Sequence, residues 1–535
     1  MNYQKEELES KNLDHLGIIA GIIDEIGIGE KLNEIFLIDS REKVNTGEVV
    51  KAIILNGLGF VSRPLYLFSQ FFEDKAIEHL LGSGIKAEDL NDDKIGRVMD
   101  KLYKYGLTKL FLTIALEVVK KYGVSTKYSH LDSTSLHLHG KYNNYPNNLE
   151  KESGISRVNP IIITQAYSRD HRPDLKQCIL DLIVSSDGDI PLFFRGASGN
   201  ESDKAVFAQI LVEYEKQIDF ESIMVADSAL YSESNLKLMS NMKWISRVPL
   251  SIKKAKNLVK AFTSKELKPS DIKGYSYQES KVSYGGIEQR WLLVESAERK
   301  KADLKKLTQK IQEEFLKISN QLVKLAQEEF EQESLAELKI QELVAKLKYH
   351  KISDLEITER LNKRQTGVYK LGGKVIEDQE LISQNQNSCG RFILATNILK
   401  TTELESREIL RIYKEQQSTE RGFRFIKDPL FFADSLFVKN PERIETMMML
   451  MALSLLVYNL GQRQLRTSLK TRKATVKNQL NKSTESPTLR WIFQCFQGIH
   501  FLITQGIYRI LNLTEERCRI LQFLPTACQK YYLLS

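Results

Sequence analysis

The chain has 535 residues, of which 42% are hydrophobic and 27% charged, and its net charge at pH 7 is +8. This composition excludes an intrinsically disordered chain and favours several globular domains, while the modest positive charge permits a polyanionic partner without requiring one. Five scattered cysteines without a C-x-x-C pair exclude a disulfide framework and a cysteine zinc site. The longest apolar run, 447–457, is too short to cross a bilayer, and no signal sequence is visible, so we expect a cytoplasmic protein without membrane association.

Residues 1–125 predict a helical N-terminal region. Apolar residues recur at helical spacing over 13–26, 46–54, 64–81 and 92–107. Two functions stay open for this region: DNA binding ahead of a catalytic domain, or packing and dimerisation, because no helix-turn-helix consensus is visible.

Residues 126–231 change to a strand pattern. They predict three strands, a helix and a fourth strand, at 127–139, 175–185, 190–197, 202–216 and 222–226. Asp187 and Gly188 predict a hairpin turn between the second and third strands. This order of elements is typical of the RNase H-like fold.

Two acids occupy unusual places in this strand pattern. Asp132 lies inside the first strand, where a carboxylate needs a partner or a metal. Asp227 directly follows the last strand, at the edge where open α/β sheets bind ligands. If the two strands are neighbours, the two acids are side by side.

Histidines cluster near the first acid and leave an alternative open. His130, His137 and His139 allow a zinc site, although oxygen-ligated metals fit the nearby acids better. One of these rings, or His171, could instead contact phosphate.

Residues 232–400 predict an insertion of strands and long helices. A hairpin is expected at 275–295 with Gly285 and Gly286 at its turn, and a sustained amphipathic helix with a second helix folding back on it at 299–349. A buried strand is expected at 391–397. An intramolecular helical hairpin is the simpler interpretation, and coiled-coil dimerisation is the alternative.

A polar stripe distinguishes the segment 401–460. It consists of residues three and four positions apart on one predicted helical face: Tyr413, Gln416, Glu420, Arg424 and Lys427. A solvated face with ion pairs explains such a stripe in an isolated helix. Its occurrence together with Asp132 and Asp227 indicates instead three acids that can hold two divalent cations.

The last segment, 461–535, begins with a basic stretch and predicts C-terminal helices. Residues 461–482 contain seven Lys or Arg and no acid. This stretch is either an exposed contact with the DNA backbone or a solubilising linker.

The polar stripe resembles a family signature. Tyr413, Gln416, Glu420 and Lys427 are similar to the Tyr-x2-Arg-x3-Glu-x6-Lys signature of the DDE-type bacterial insertion-sequence transposases of the insertion-sequence-four family, with Gln416 in place of Arg. The surroundings of Asp132 and Asp227 resemble the first and second acidic motifs of that family. The segments 167–177 and 187–203 are similar to a branch of the same superfamily.

The resemblance implies a fold and a set of site residues. We expect a mixed α/β protein with an RNase H-like core, formed by 126–231 and 401–460, that is interrupted by the strand-plus-helix insertion. Asp132, Asp227 and Glu420 would hold two Mg²⁺ ions, with Mn²⁺ as a possible substitute, while Tyr413, Gln416, Arg424 and Lys427 would contact DNA phosphates. Long charged helices in the insertion depart from the family pattern.

The resemblance also implies an activity and partners. The protein would be a DNA transposase that cuts transposon ends and joins them to target DNA, acting on double-stranded terminal inverted repeats as a dimer. The alternatives are a DNA-binding protein descended from such an enzyme and a metal-dependent nuclease. Trp291 in the insertion would either stack on a flipped base, as an aromatic does in some relatives, or simply pack in the core.

Overall fold

The computed structural model describes residues 8–60, 63–64, 67–138, 142, 160–166, 172, 174–218, 221–361, 367–428, 439–504 and 506–534. These residues form two compact units. The core unit comprises Met1–Lys243 and Ile412–Ser535, and the inserted unit comprises Trp244–Arg411. His139 and His171 lie outside the described residues.

The N-terminal part of the core unit is helical after one strand, as predicted. Its elements are β1 (Leu8–Asn12), α1 (Leu16–Ile26), α2 (Ile28–Phe36), α3 (Thr46–Leu58), α4 (Phe68–Phe72), α5 (Ile77–Leu81), α6 (Asp92–Tyr105) and α7 (Leu107–Tyr122). A capping box between Asn45 and Glu48 begins α3. The single helix expected at 64–81 is wrong, because Asn12 pairs with the backbone of Asp74 and Ala76 and this divides the segment into α4 and α5.

Four strands and two helices follow, and the strands come in the chain order that the sequence predicts. They are β2 (Tyr128–Leu138), β3 (Lys176–Ser185), β4 (Pro191–Ser198), α8 (Asp203–Gln217), β5 (Ile223–Ala226) and α9 (Glu233–Leu238). The strands lie in the order β4-β3-β2-β5, with β2 antiparallel to β3 and parallel to β5. The expected turn at Asp187 and Gly188 joins β3 to β4.

The inserted unit combines a sheet with long helices. Its elements are β6 (Lys243–Val248), α10 (Lys253–Ala261), β7 (Lys268–Pro269), β8 (Tyr275–Tyr284), β9 (Ile287–Ser296), α11 (Ala297–Gln327), α12 (Glu333–Val344), β10 (His350–Leu361), β11 (Gly367–Glu377), α13 (Gln379–Ser388) and β12 (Arg391–Thr396). The sheet order is β6-β12-β9-β8-β7, and β10 pairs with β11 in a separate hairpin. Ile318 and Leu322 of α11 share a hydrophobic cluster with Ile340 of α12. Both helices pack on the β10–β11 hairpin, through Leu371 among other residues, so a hairpin formed by the two helices alone stays a prediction.

The chain then returns to the core unit. The remaining elements are α14 (Ser406–Glu415), α15 (Gln417–Ile426), α16 (Pro441–Thr471), β13 (Val476–Lys477), β14 (Ser483–Thr484), α17 (Leu489–Cys495), β15 (His500–Thr504), β16 (Ile507–Leu511), α18 (Glu515–Leu521) and α19 (Thr526–Gln529). α16 is long and apolar enough to cross a membrane, but 89% of its most apolar window is buried inside the protein. It is therefore a core helix here.

The two ends of the chain pack into one structure. β1 pairs with β15, which pairs with β16, so the C-terminal region contains strands as well as the predicted helices. α1 packs on α19 so closely that a Cβ on Gly21 would collide with the backbone of Cys528. One hydrophobic cluster extends from Leu13 through β3 and α16 to Tyr532. The N-terminal helices therefore share their core with the sheet and the C-terminal region.

Candidate active site

Asp132 and Asp227 lie side by side in the sheet. β2 and β5 run parallel, and their last paired residues are Leu131 and Ala226, so the two acids follow at the next register position. An oxygen of Asp132 accepts the backbone N–H of Ser133 at 2.8 Å, and an oxygen of Asp227 accepts that of Ala229 at 2.8 Å. Both side chains are half-buried.

Glu420 is carried by the helix that covers the same face of the sheet. Side chains alternate along a strand, so Asp132 shares a face of β2 with Leu136. Leu136 belongs to the same hydrophobic cluster as Phe423 and Ile426 of α15, and α15 packs against β2 and β3. Glu420 itself is exposed, and within the described residues its carboxylate makes no hydrogen bond or ion pair.

The carboxylates of all three acids offer the oxygen ligands that a hard divalent cation prefers. Only the two aspartates also lie next to each other, as a shared cation requires. Adjacent Asp132 and Asp227 supply oxygen ligands, which Mg²⁺ and Mn²⁺ prefer. Across the described residues, no group of three or more His, Cys, Asp and Glu side chains is arranged to hold a metal ion. The structure therefore brings together the two aspartates, and it does not place Glu420 in a ready-made cluster with them.

The zinc alternative receives no support in the described part of the chain. His130 is fully buried between strands, and neither of its ring nitrogens has a hydrogen-bond partner. Burial lowers the pKa of His130 to about 4, so the ring is neutral at pH 7. His137 is half-buried and belongs to no metal-binding group of the kind described above.

The polar stripe is divided between two helices, which corrects the expectation of one helical face. Gln416 separates α14 from α15, because its N–H bonds to Tyr413 O at 3.2 Å and its O accepts Thr419 N–H at 3.1 Å. These bonds span three residues and replace the four-residue pattern of an α-helix. Gln416 is only 9% exposed, whereas Arg424 is exposed and Lys427 and Tyr413 are half-buried.

Three contacts hold α15 in place. Arg421, in the middle of the helix, donates to Asp189 at 2.9 Å. A Cβ on Gly422 would lie 3.0 Å from Leu455 of α16, which shows how closely the two helices pack. Just past the end of the helix, Asp428 accepts from Arg490 at 2.8 Å.

A buried polar network on the other face of the sheet was not found from the sequence. Asp181 is 1% exposed and accepts hydrogen bonds from Ser133 Oγ and from Arg195 Nη1, the latter at 2.9 Å. Arg195 also donates to both oxygens of Glu201, at 2.6 and 2.8 Å. Burial raises the pKa of Asp181, and its two partners oppose this shift. An aspartate within the apolar run of β3 was the signal that could have revealed the network.

Trp291 lies inside the sheet of the inserted unit. Its side chain is 0% exposed, and its Nε1 donates to Gln289 Oε1 at 3.0 Å. This burial is what the packing interpretation predicts, and base stacking by Trp291 stays a prediction.

The basic stretch 461–482 is not a linker. It forms the last turns of α16 and the small β13–β14 hairpin. Several of its cations hold the fold: Arg463 pairs with Asp187 at 2.7 Å, and Arg466 and Arg472 donate to backbone carbonyls. Lys470, Lys473 and Lys482 are exposed.

Two models of protein families match most of the chain. Residues 130–460 match the family model described as a transposase DDE domain, and residues 8–116 match a domain of unknown function, DUF4277. No curated protein matches the chain. A piggyBac transposase synaptic complex with hairpin DNA is similar at 9% identity and a TM-score of 0.37, covering 96% of this chain and 80% of that one. A Mos1 transposase paired-end complex with a left transposon end gives 11% identity and a TM-score of 0.14, covering 30% and 51%.

Proposed function

Because this chain belongs to the family of transposase DDE domains, we propose that it is a DNA transposase that cuts the ends of a transposable element and joins them to target DNA. The observation that carries the proposal is the adjacency of Asp132 and Asp227 on parallel strands, under the helix that bears Glu420. All three acids lie within the residues that match the family.

In this proposal the three acids form the cation site. Asp132 and Asp227 would hold divalent cations between them, and Glu420 would complete the site once DNA and metal are present. Two bound Mg²⁺ or Mn²⁺ ions would lower the pKa of the attacking water or 3′-hydroxyl and stabilise the leaving oxygen. The protein itself would orient the DNA and exclude competing water.

The neighbouring polar residues would position the DNA. Arg424, which is exposed, and Lys427 and Tyr413, which are half-buried, could reach phosphates beside Glu420. Gln416 lacks the charge and the two-pronged geometry of arginine, and its burial limits it to a weaker contact. Two transposon ends would require at least two copies of the protein in the active complex.

The decisive experiment is cleavage and strand transfer on a labelled duplex that carries the element's own terminal repeat, taken from the DNA flanking the gene. With Mg²⁺, the wild type should yield cut and joined products, whereas Glu420→Gln should bind the duplex and yield neither. Asp39→Asn, a half-buried acid paired with the exposed Arg41, is the matched control and should behave as the wild type.

Other outcomes would identify the alternatives. Specific binding of the repeat without cleavage by the wild type would indicate a DNA-binding protein that no longer cuts. Cleavage without joined products would indicate a nuclease. Cleavage that persists in Glu420→Gln would contradict the role of this residue.

A further inference from the structure

Charge is distributed unevenly over the inserted unit. Residues 253–273 contain seven Lys and two acids, whereas residues 328–342 contain six acids and one Lys. The two acids of the basic segment already have partners. Glu266 accepts the N–H and the hydroxyl of Thr263, at 2.6 and 2.8 Å, and Asp271 lies 3.5 Å from Arg407. The basic segment therefore has a surplus of positive charge that its own acids do not neutralise.

Three of these lysines form one stripe on α10. Lys253, Lys256 and Lys260 are three and four residues apart, so they lie on one side of the helix. Ala255 and Val259, which are buried, lie on a different side. Lys253 and Lys256 are exposed and Lys260 is half-buried. In the part of the chain that the structure describes, none of the three side chains forms an ion pair, so their charges are available to a partner.

The surface of α10 continues onto α13 and α11, because α13 packs against both of them. Just past the end of α13, the N–H of Gly390 donates to Asp303 of α11 at 2.9 Å. At the start of α13, the N–H of Asp378 donates to the carbonyl of Tyr349, whose own N–H donates to Glu314 of α11 at 2.8 Å. α13 therefore runs antiparallel to α11, beside the turns from Asp303 to Glu314.

A second row of cations borders α13 on the α11 side. Lys306 and Lys310 follow Asp303 by three and seven residues, so they lie near the side of α11 that faces α13, and both are exposed. Ser383 and Gln386 of α13 are exposed between the two rows. Packed helices are about 8–10 Å apart, so the two rows are up to about 20 Å apart. Lysines on both rows can therefore reach phosphates on the two sides of a major groove about 12 Å wide.

These side chains suit the backbone of a nucleic acid better than its bases. Lysines neutralise phosphates, and hydroxyl and amide groups donate hydrogen bonds to phosphate oxygens. Reading a base edge requires a side chain held in a fixed direction, whereas these lysines have no partner within the described residues that would hold them. The arrangement therefore favours a contact that is independent of the base sequence.

We propose that the outer surface of α10, α13 and the first half of α11, called here the lysine surface, binds the phosphate backbone of duplex DNA. Its cations are Lys253, Lys256, Lys260, Lys306 and Lys310. The choice of DNA as the polyanion rests on the function proposed above. The lysine surface is a contact of the inserted unit and is separate from the acids of the candidate active site.

The test measures DNA binding without catalysis. Fluorescence anisotropy follows the binding of the full-length protein to two labelled duplexes, one with the element's terminal repeat and one of unrelated sequence, over a series of salt concentrations in EDTA. The main variant combines Lys253→Gln, Lys256→Gln and Lys310→Gln, which removes exposed charges from both rows. Two double variants, Lys253→Gln with Lys256→Gln and Lys306→Gln with Lys310→Gln, test each row separately and keep the experiment decisive if the triple variant does not fold.

The matched control removes the same charge from the acidic end of the inserted unit. It combines Lys324→Gln, Lys339→Gln and Lys346→Gln, three lysines that are also exposed. Its net charge equals that of the main variant, so the two proteins differ only in where the charge is lost.

The triple variant of the lysine surface should lower the slope of log affinity against log salt by about 3, since each phosphate contact contributes about 0.9. Its affinity for both duplexes should fall by the same factor, on the order of 100-fold at 0.1 M salt. Each double variant should lower the slope by about 2. The melting temperature should not change, and the control should keep most of the wild-type slope.

Several results would overturn the inference. Unchanged binding in the surface variants would show that the lysine surface does not contact DNA, and equal losses in the control would show that DNA responds only to total charge. A loss confined to the terminal repeat would indicate sequence reading in place of a backbone contact. A wild type that binds both duplexes and does not cut with Mg²⁺ would refute the proposed function, while the variants would still decide this inference. A wild type that binds neither duplex would refute both.

Discussion

The buried arginines of the inserted unit and the two aspartates of the candidate site are charged side chains in different settings. In the inserted unit, Arg290 is 1% exposed and donates to both oxygens of Glu279, at 3.0 and 2.9 Å. Arg391 is 2% exposed and donates to Glu295 at 2.9 Å and to two backbone carbonyls. In the core unit, by contrast, two like charges, Asp132 and Asp227, lie next to each other and are half-buried.

The two settings have different consequences for the stability of the fold. A buried cation with a carboxylate and carbonyls around it offsets its cost of desolvation. Two adjacent carboxylates repel each other, and this repulsion costs stability until a cation lies between them. The cation site proposed above requires such an arrangement of Asp132 and Asp227.

The largest expected effect is on activity in the core unit. Asp227→Asn should lower end cleavage on the order of 1,000-fold, about 4 kcal/mol in the activation barrier. Because Asn keeps an oxygen that can accept the N–H of Ala229, the substitution should change the free energy of unfolding little. Cleavage assays and urea unfolding without metal measure the two effects. A strongly destabilised variant would contradict this expectation.

The next effect is on stability in the inserted unit. Arg391→Met should lower the free energy of unfolding by about 3 kcal/mol, because Glu295 and two carbonyls lose their buried donor. Tryptophan fluorescence suits the measurement, since Trp244 and Trp291 are both fully buried in this unit. Lys339→Met, which breaks an exposed pair with Glu342, is the control and should change stability little. Equal losses in both variants would show that burial of the Arg391 pair gives it no larger effect on stability than an exposed pair has.

Much of the fold, and the positions of two residues of the candidate site, could be predicted from local sequence patterns. The succession of strands and helix along the chain, the turn at Asp187 and Gly188, and the strand positions of Asp132 and Asp227 follow from periodicity and from acids at strand positions. That the strands of the two acids are neighbours became clear only in the sheet. The hairpin of β8 and β9 was equally visible, because two glycines separate two strand patterns.

Features that depend on distant partners were not predictable in this way. Arg421 lies 232 residues from Asp189, and β1 pairs with β15 at the opposite end of the chain. The interruption at Gln416 was missed because helical periodicity continues through it while the hydrogen bonds do not. Likewise, the sequence alone predicts a surface cation at Arg463, and only the folded structure shows its ion pair with Asp187.

A buried histidine gives the core unit a pH dependence. His15 lies between the rings of Phe60 and Phe493, with centroids 4.5 and 4.6 Å away, and burial lowers its pKa to about 4. Its nitrogens lie 2.9 Å from Leu58 O and 2.7 Å from Gln497 Nε2, an arrangement that suits the neutral ring.

Between pH 6.5 and 4 the unfolded chain therefore binds a proton that the folded protein does not, so stability falls as the pH falls. From pH 7 to pH 5, His15 should contribute about 2 kcal/mol to this loss. His130, whose pKa burial also lowers to about 4, adds to the total loss. Urea unfolding followed by circular dichroism should show that His15→Gln lessens this loss by that amount. If the variant and the wild type lose equal stability over this range, His15 is not the cause.

The smallest expected effect concerns the salt dependence of DNA binding. It distinguishes exposed cations at the end of α16 from cations that form ion pairs within the protein. If the exposed part of the stretch 461–482 contacts DNA, Lys470→Gln should reduce the slope of log affinity against log salt by about 1 and leave unfolding unchanged. Arg463→Gln should instead lower stability, because it releases Asp187 and the β3–β4 turn. Lys339→Gln in the inserted unit is the matched charge control. Equal changes in salt dependence for Lys470→Gln and Lys339→Gln would mean that DNA responds to total charge, and the stretch would then be no specific DNA contact.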